Sequence, residues 1–319
     1  MLYPFIHTAD WHLRDTQYGR RFRGEDFWLA AQDVLRIAEE VKARFIINGG
    51  DTFQVSRPSG AMLDMLWKTD RQLKALGIPM YTVTGNHDAA SPSYLTFPDY
   101  DRYPAEGGLP KPDALGDGGV EKVSGVVCID FRTVQVPGTD IRIAGYPAIS
   151  GEAFLKELKE NPPQADFIVW HGAVREFCGF PMEKAITLAD LPTGLCKGYL
   201  LGDIHVTSTE RLSDGTMVSY PGAIELCEKG EAAEKTVDIY EISEGFHANP
   251  LLDPMRYPVK TRPVLFLQVM DDEQADEALD KVKAAVRINP DQQPLVFMRY
   301  HTDMKAAVAR IRGALDMSK

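Results

Sequence analysis

The stretch PMYTVTGNHD, Pro79 to Asp88, runs an apolar and β-branched segment straight into Gly85, Asn86, His87 and Asp88. A run too short for a helix and closed by glycine reads as a buried strand whose carboxyl end carries polar side chains. The same shape recurs on both sides of it. FIHTAD (Phe5 to Asp10, with His12 two residues on) and FIINGGD (Phe45 to Asp51) precede it, while VWHG (Val169 to Gly172) and LGDIH (Leu201 to His205) follow. Helical stretches lie between. Glu25 to Arg44 sets Phe27, Ala30, Ala31, Val34, Leu35, Ile37, Ala38 and Val41 on one face, and a second stretch runs from about Gly60 to Ala75. Strands alternating with helices predict an α/β architecture, and open sheets of that kind bind ligands beyond the carboxyl ends of their strands. All five polar groups should therefore meet in one place.

Taken singly, each group has an ordinary explanation: an Asp-x-His by chance, a Gly-Asp turn, a core histidine after a strand. The ordered series does not, and it uses four of the seven histidines, His12, His87, His171 and His205. Its oxygen and imidazole donors, without thiolate, suit divalent Mn, Fe, Zn or Mg. Asp10, His12, Asp51, Asn86, His171, Asp203 and His205 are enough ligands for two ions sharing a bridging carboxylate.

These motifs resemble the calcineurin-like metallophosphoesterases, and among them the SbcD-type nuclease subunits of DNA double-strand-break repair and recombination. HTADWHL at His7 to Leu13, GNHD followed by SPSYL, SYPGAIE at Ser219 to Glu225 and the small C-terminal module carry the resemblance. It implies a β-sandwich flanked by helices, with Asp10, His12 and His205 on one ion, Asn86, His171 and the residue at 203 on the other, and Asp51 between them. It also implies that His87 is the catalytic histidine, oriented by Asp88, and that two divalent ions, Mn2+ or alternatively Mg2+, support hydrolysis of DNA phosphodiesters. One position departs from the family pattern: the final motif is usually Gly-His-x-His, and Asp203 stands where an imidazole is expected. A third carboxylate favours hard ions.

At 319 residues the chain has room for about two domains. A metallophosphoesterase domain is expected over 1–245 and a small α+β cap over 246–319, built from VLFLQV, a helix at Asp272 to Arg287, PLVFMRYH and a helix at Asp303 to Met317. The Pro- and Gly-rich stretch 99–125 reads as a surface loop. Cys128, Cys178, Cys196 and Cys227 lack the spacing of a zinc knuckle or a disulfide framework and read as buried, reduced thiols. With neither an 18-residue apolar run nor a signal-peptide core, the expectation is no membrane association and a cytoplasmic location.

The net charge of −11 argues against indiscriminate nucleic-acid binding. Against it stands WHLRDTQYGRRFR, where Arg14, Arg20, Arg21 and Arg23 begin at the first candidate ligands and offer contacts for backbone phosphates, with Tyr18 and Phe22 available for stacking. Unaided DNA affinity should be modest and salt-sensitive. The sequence has no Walker-type phosphate loop, so the nucleotide-binding partner that the resemblance implies is an SbcC-type coiled-coil ATPase. The resemblance also suggests a homodimer, with the Ser59 to Ala75 helix as a candidate interface. Two rival readings remain: a stand-alone phosphoesterase for small phosphoesters, and a weakly active DNA-end-binding scaffold.

Overall fold

The computed structural model describes residues 2–89, 94–95, 125–179, 185–231, 234–243, 251–288 and 292–316. The expected loop at 99–125, except for Gly125, and the Ser91 to Ser93 part of SPSYL lie outside these residues. The first compact unit, Met1–Val259, holds two six-stranded sheets. In chain order its elements are β1 (Leu2–Thr8), α1 (Phe22–Glu40), β2 (Ile46–Asn48), α2 (Gly60–Leu76), β3 (Met80–Thr82), β4 (Val126–Cys128), β5 (Arg132–Gln135), β6 (Arg142–Tyr146), α3 (Gly151–Glu160), β7 (Phe167–His171), β8 (Gly198–Gly202), β9 (Ser208–Arg211), β10 (Met217–Tyr220), β11 (Lys235–Ser243) and β12 (Met255–Val259). One sheet runs β12-β11-β1-β2-β3-β4, the other β5-β6-β7-β8-β10-β9. The sequences of β1, β2 and β3 are near-continuous apolar runs because both faces of their sheet are covered. Ile6 and Ile46 pack under α1 and α2, whereas Phe5, Phe45, Ile47 and Tyr81 meet Phe167, Val169 and Leu200 of the second sheet. Phe5 stacks at 4.8 Å on Phe45 and at 5.0 Å on Tyr240, its partner in β11. On the outer face of the second sheet, Phe154 of α3 stacks on Trp170 at 4.2 Å. This is the expected β-sandwich flanked by helices.

Helix α1 begins at Phe22, earlier than periodicity alone predicts, so the last two residues of the Arg-rich segment are its first two. Helix α2 starts where Ser59 accepts a hydrogen bond from the Met62 amide at 3.2 Å and stops at Gly77 in the left-handed region, φ 70°. The second unit, Lys260–Lys319, pairs β13 (Val264–Val269) with β14 (Leu295–Tyr300) in parallel and packs α4 (Asp272–Ile288) and α5 (Lys305–Asp316) on them. Leu267, Val269, Ala278, Val282 and Ile311 form its core. The boundary between the units falls at Val259 and Lys260, not near residue 245. The reason is β12, which pairs antiparallel with β11 and extends the first sheet. Its sequence, MRYPV, carries a proline and an arginine and reads as linker, but an edge strand tolerates both.

One of the fully buried polar groups is a carboxyl. Asp238 of β11 is fully buried, accepts one hydrogen bond from the Ser219 hydroxyl at 3.1 Å, and has its Oδ1 unpaired. Burial, only partly offset by Ser219 and Arg256, pushes its carboxyl up to about 6. A carboxyl raised above its unfolded value near 4 favours the folded state at low pH, and that contribution is lost as pH rises through about 6. Asp238→Asn should therefore gain stability relative to the native chain by about 2–3 kcal/mol on going from pH 4 to pH 8. Urea unfolding of both proteins at the two pH values measures this, and a pH-independent difference would refute it.

Candidate metal centre

Each group of predicted ligands sits just past a strand. Asp10 and His12 follow β1, Asp51 follows β2, and Asn86, His87 and Asp88 follow β3; in the second sheet His171 ends β7, and Asp203 and His205 follow β8. The two sets converge because the sheets come into backbone contact there. A methyl group on Gly202 would lie 2.3 Å from the Gly49 carbonyl oxygen, and one on Gly85 would lie 2.0 Å from Asp51 Oδ1. Only glycine fits at either place. Asp10, His12, Asp51 and Asp203 have φ of 53°, 46°, 52° and 97°. Side-chain-bearing residues hold such angles at a cost of about 1–3 kcal/mol each, and they concentrate at functional sites.

Asp51 occupies the middle. Its Oδ2 lies 3.7 Å from His12 Nε2, 3.6 Å from His171 Nε2 and 4.0 Å from His87 Nε2. On one side His12 Nε2 faces His205 Nε2 at 3.1 Å. On the other, His171 Nε2 faces Asn86 Oδ1 at 2.8 Å and Asp203 Oδ1 at 3.6 Å. Asp203 thus reaches the cluster, and its amide donates to Asp10 Oδ1 at 3.2 Å. The tautomers follow from outer contacts. His171 Nδ1 donates to the Gly49 carbonyl at 2.8 Å, and His205 Nδ1 donates to Glu231 Oε1 at 2.8 Å. Their Nε2 atoms therefore point inward, His171 at the Asn86 and Asp203 oxygens and His205 at His12 Nε2, where a cation could take their lone pairs. In the turned-over orientation the Asn86 amide donates to His171 and Asp51; in the other its oxygen faces the cluster, where it could ligate a cation.

The electrostatics agree. Burial, moderated by His171 and His205, pushes the Asp10 carboxyl up to about 6. Burial and the neighbouring His205 drive the His12 imidazole well below its ordinary value. Burial also opposes charge on His171, but Asp51, Asp10 and Asp203 outweigh it and raise that imidazole. Burial alone would raise Glu231; hydrogen bonds from His205 and Lys235 outweigh it and hold the carboxyl at about 2. Three clustered carboxylates beside four imidazoles fit divalent cations. The combinations Asp10–Asp51–His171 and His12–Asp51–His87 each bring one donor atom per residue within 4.8 Å of the others. Such ions would activate a water nucleophile and neutralise charge developing on a phosphoryl group.

Two expectations change. Asp88 does not touch His87: its carboxylate accepts the amides of Thr52 at 2.9 Å, Phe53 at 2.7 Å and Gly85 at 3.2 Å. It braces the Asp51 loop against the turn that carries Asn86, and burial, with Asp51 nearby, pushes it up to about 7. His87 is oriented instead by the backbone carbonyl of Gln54, which accepts from Nδ1 at 2.8 Å. No sequence signal marks a carbonyl partner. The second change concerns the arginines. Arg23 is fully buried and fully engaged with Gln17 at 2.9 Å, Asp26 at 2.8 Å, Glu225 at 3.1 Å and the Leu226 carbonyl at 3.0 Å, so it has no face for DNA. As the second residue of α1 its side chain turns inward onto the segment after β10. Arg14 is also buried; its Nε donates to the His12 carbonyl at 2.9 Å and its guanidinium covers Phe27 at 4.0 Å. Arg20 and Arg21 are exposed. Sequence reasoning missed Gln54, Glu231 and Cys227, none of which stands at a strand end.

These environments separate the arginines by stability. Arg23→Ala should cost about 3–5 kcal/mol because it strands two buried carboxylates, whereas Arg20→Ala and Arg21→Ala should each stay within about 0.5 kcal/mol. Chemical denaturation checks both, and an Arg23 variant as stable as the native chain would contradict the contacts.

The calcineurin-like phosphoesterase family matches residues 3–228. A DNA double-strand break repair protein Mre11 of Archaeoglobus fulgidus is 26% identical over 319 residues, covering 96% of this chain and 70% of the relative. The protein of the same name from Methanocaldococcus jannaschii is 23% identical over 312 residues, covering 94% and 77%. Among solved structures, TT1561 of Thermus thermophilus shares the fold at a TM-score of 0.50 and 16% identity, over 82% of this chain and 100% of that one. With all five strand ends inside the matched stretch, the chain belongs to the calcineurin-like phosphoesterase family.

Proposed function

We propose that the chain is a dinuclear, Mn2+-dependent DNA nuclease of double-strand-break repair or recombination, with Mg2+ as the alternative ion and an SbcC-type ATPase as partner. The observation that carries the reading is the meeting of two donor sets at Asp51, with Oδ2 3.7 Å from His12 and 3.6 Å from His171. Asp10, His12 and His205 would hold one ion and Asn86, His171 and Asp203 the other, with Asp51 standing between the two sets. His87, whose side chain is 38% exposed at the rim, is the candidate catalytic histidine. With Nδ1 held by the Gln54 carbonyl, its Nε2 can carry a proton to the leaving oxygen. Asp88 acts through the loops it braces. DNA as substrate is supported by the relatives named for double-strand-break repair, which align over nearly the whole chain, and by the exposed Arg20 and Arg21 beside the first ligands. Arg14, buried and anchored on the carbonyl of His12, adds positive charge next to that first ligand. A homodimer through α2 is supported by Trp67, 43% exposed on that helix, with Leu29 of α1 54% exposed.

A nuclease assay on the purified chain with Mn2+, with and without its ATPase, tests the reading. His87→Ala should lower cleavage by about 10²–10⁴-fold while two ions remain bound. Asp203→Ala should bind one ion fewer; equal binding of two would remove Asp203 from the ligands. The Arg20→Ala, Arg21→Ala double variant should weaken DNA binding and reduce its salt slope by about two, at roughly 0.9 per phosphate contact. Faster turnover of a small chromogenic diester than of duplex DNA would favour a small-molecule phosphoesterase, and no cleavage even with the ATPase would favour a scaffold.

A further inference from the structure

The segment after β10 brings a different kind of donor to the site. One ring nitrogen of His12, one of His205 and the Sγ of Cys227 lie within 4.8 Å of one another. Small side-chain adjustments bring three such atoms onto one ion. The two imidazoles already aim at a common point. His12 is 2% exposed, its Nδ1 has no hydrogen-bond partner among the described residues, and its Nε2 faces His205 Nε2 at 3.1 Å. Glu231 accepts from His205 Nδ1–H, so His205 Nε2 presents a lone pair inward, which His12 Nε2–H can meet at 3.1 Å and which a cation standing between the two rings would take instead.

Cys227 is held in place as firmly as a ligand needs to be. Its amide donates to Glu231 Oε2 at 3.0 Å, its carbonyl accepts from Gln17 Nε2 at 2.6 Å, and Arg23 clamps the neighbouring Glu225 side chain and Leu226 carbonyl. One carboxylate thus supports both the His205 ring and the Cys227 backbone, the outer-sphere pattern that orients metal ligands. The thiol donates a hydrogen bond to the Glu225 carbonyl at 3.4 Å, an ordinary length for sulfur, and coordination would replace it.

We propose that Cys227 is a sulfur ligand which, with His12 and His205, gives this position of the site a preference for thiophilic divalent ions of the Zn2+ and Co2+ class. The opposite position, built from Asn86, His171 and Asp203, offers only oxygen and imidazole and keeps hard ions such as Mn2+. The two halves of one centre then differ in ion selectivity, and zinc displaces manganese from one of them. Coordination releases the thiol proton to solvent. The inference rests on the reading of this cluster as a metal centre.

Anaerobic titration of the full chain with Co2+ tests it. The native protein should develop an intense near-ultraviolet sulfur-to-cobalt charge-transfer band, lost in both Cys227→Ser and Cys227→Ala, while the weaker visible bands of cobalt on imidazole and carboxylate persist. Zinc affinity, measured by competition with a chromogenic chelator, should fall roughly tenfold or more in both variants, with manganese affinity little changed. Visible cobalt bands without a sulfur band in the native protein would overturn the proposal alone. A sulfur band that survives in both variants would assign the ligand to Cys128, Cys178 or Cys196 and overturn it equally. No cobalt bands at all would overturn the metal-centre reading and this inference with it. The absence of a sulfur band from the native spectrum overturns the idea whatever the variants do, and the two variants together assign a band that is present.

Discussion

Three carboxylates, Asp10, Asp51 and Asp203, are brought together with His12 and His171 where two sheets touch, and Asp10, Asp51 and His12 are nearly inaccessible to water. Like charges at that spacing repel, and Asp10 and Asp51 also bear the desolvation penalty of a buried ion. The lone pairs of His171 and His205 are turned toward this cluster by hydrogen bonds on their far sides. Divalent cations answer both problems at once, so ligand identity, backbone strain and outer-sphere contacts all follow from this one electrostatic constraint.

The supporting structure is made largely of backbone. Gly49 and Gly202 let the sheets meet, Gly85 leaves room for the Asp51 carboxylate, and the carbonyls of Gly49 and Gln54 set the ring orientations of His171 and His87. Asp88 is the exception that clarifies the rule. Although it sits beside His87 in the chain, it gathers three amide donors from two loops and so fixes where Asp51 and Asn86 stand. Its influence on chemistry runs through geometry rather than through the imidazole.

Charge has to be read surface by surface. The −11 of the whole chain includes the carboxylates of the centre, which bound cations would offset, and the acidic face of α4, where Asp272, Glu273, Asp276, Glu277 and Asp280 cluster. The exposed cations of the Arg-rich segment are Arg20 and Arg21. Arg23, by contrast, adds to the formal positive charge of the Arg-rich segment but is neutralised internally by Asp26 and Glu225, where it locks the segment that ends in Cys227. Four neighbouring arginines thus divide into two buried anchors and two exposed cations.

The strands and most of the centre were legible in the sequence because they rest on local rules, whereas the sandwich itself was what the family resemblance implied. Apolar runs bury strands, and a polar group immediately after such a run must emerge at the strand's carboxyl end. That logic locates Asp10, His12, Asp51, Asn86, His87, His171, Asp203 and His205 without coordinates, and the match to the calcineurin-like phosphoesterase family covers all of them. What the tertiary structure alone decided depends on contacts between residues far apart in the chain. Glu231 under His205, the Gln54 carbonyl behind His87, the inward turn of Arg23, the pairing of β12 with β11 and the approach of Cys227 to His12 have no periodic or spacing signature. Each is set by where two distant loops or strands happen to meet, which the one-dimensional pattern of apolar and polar residues does not encode.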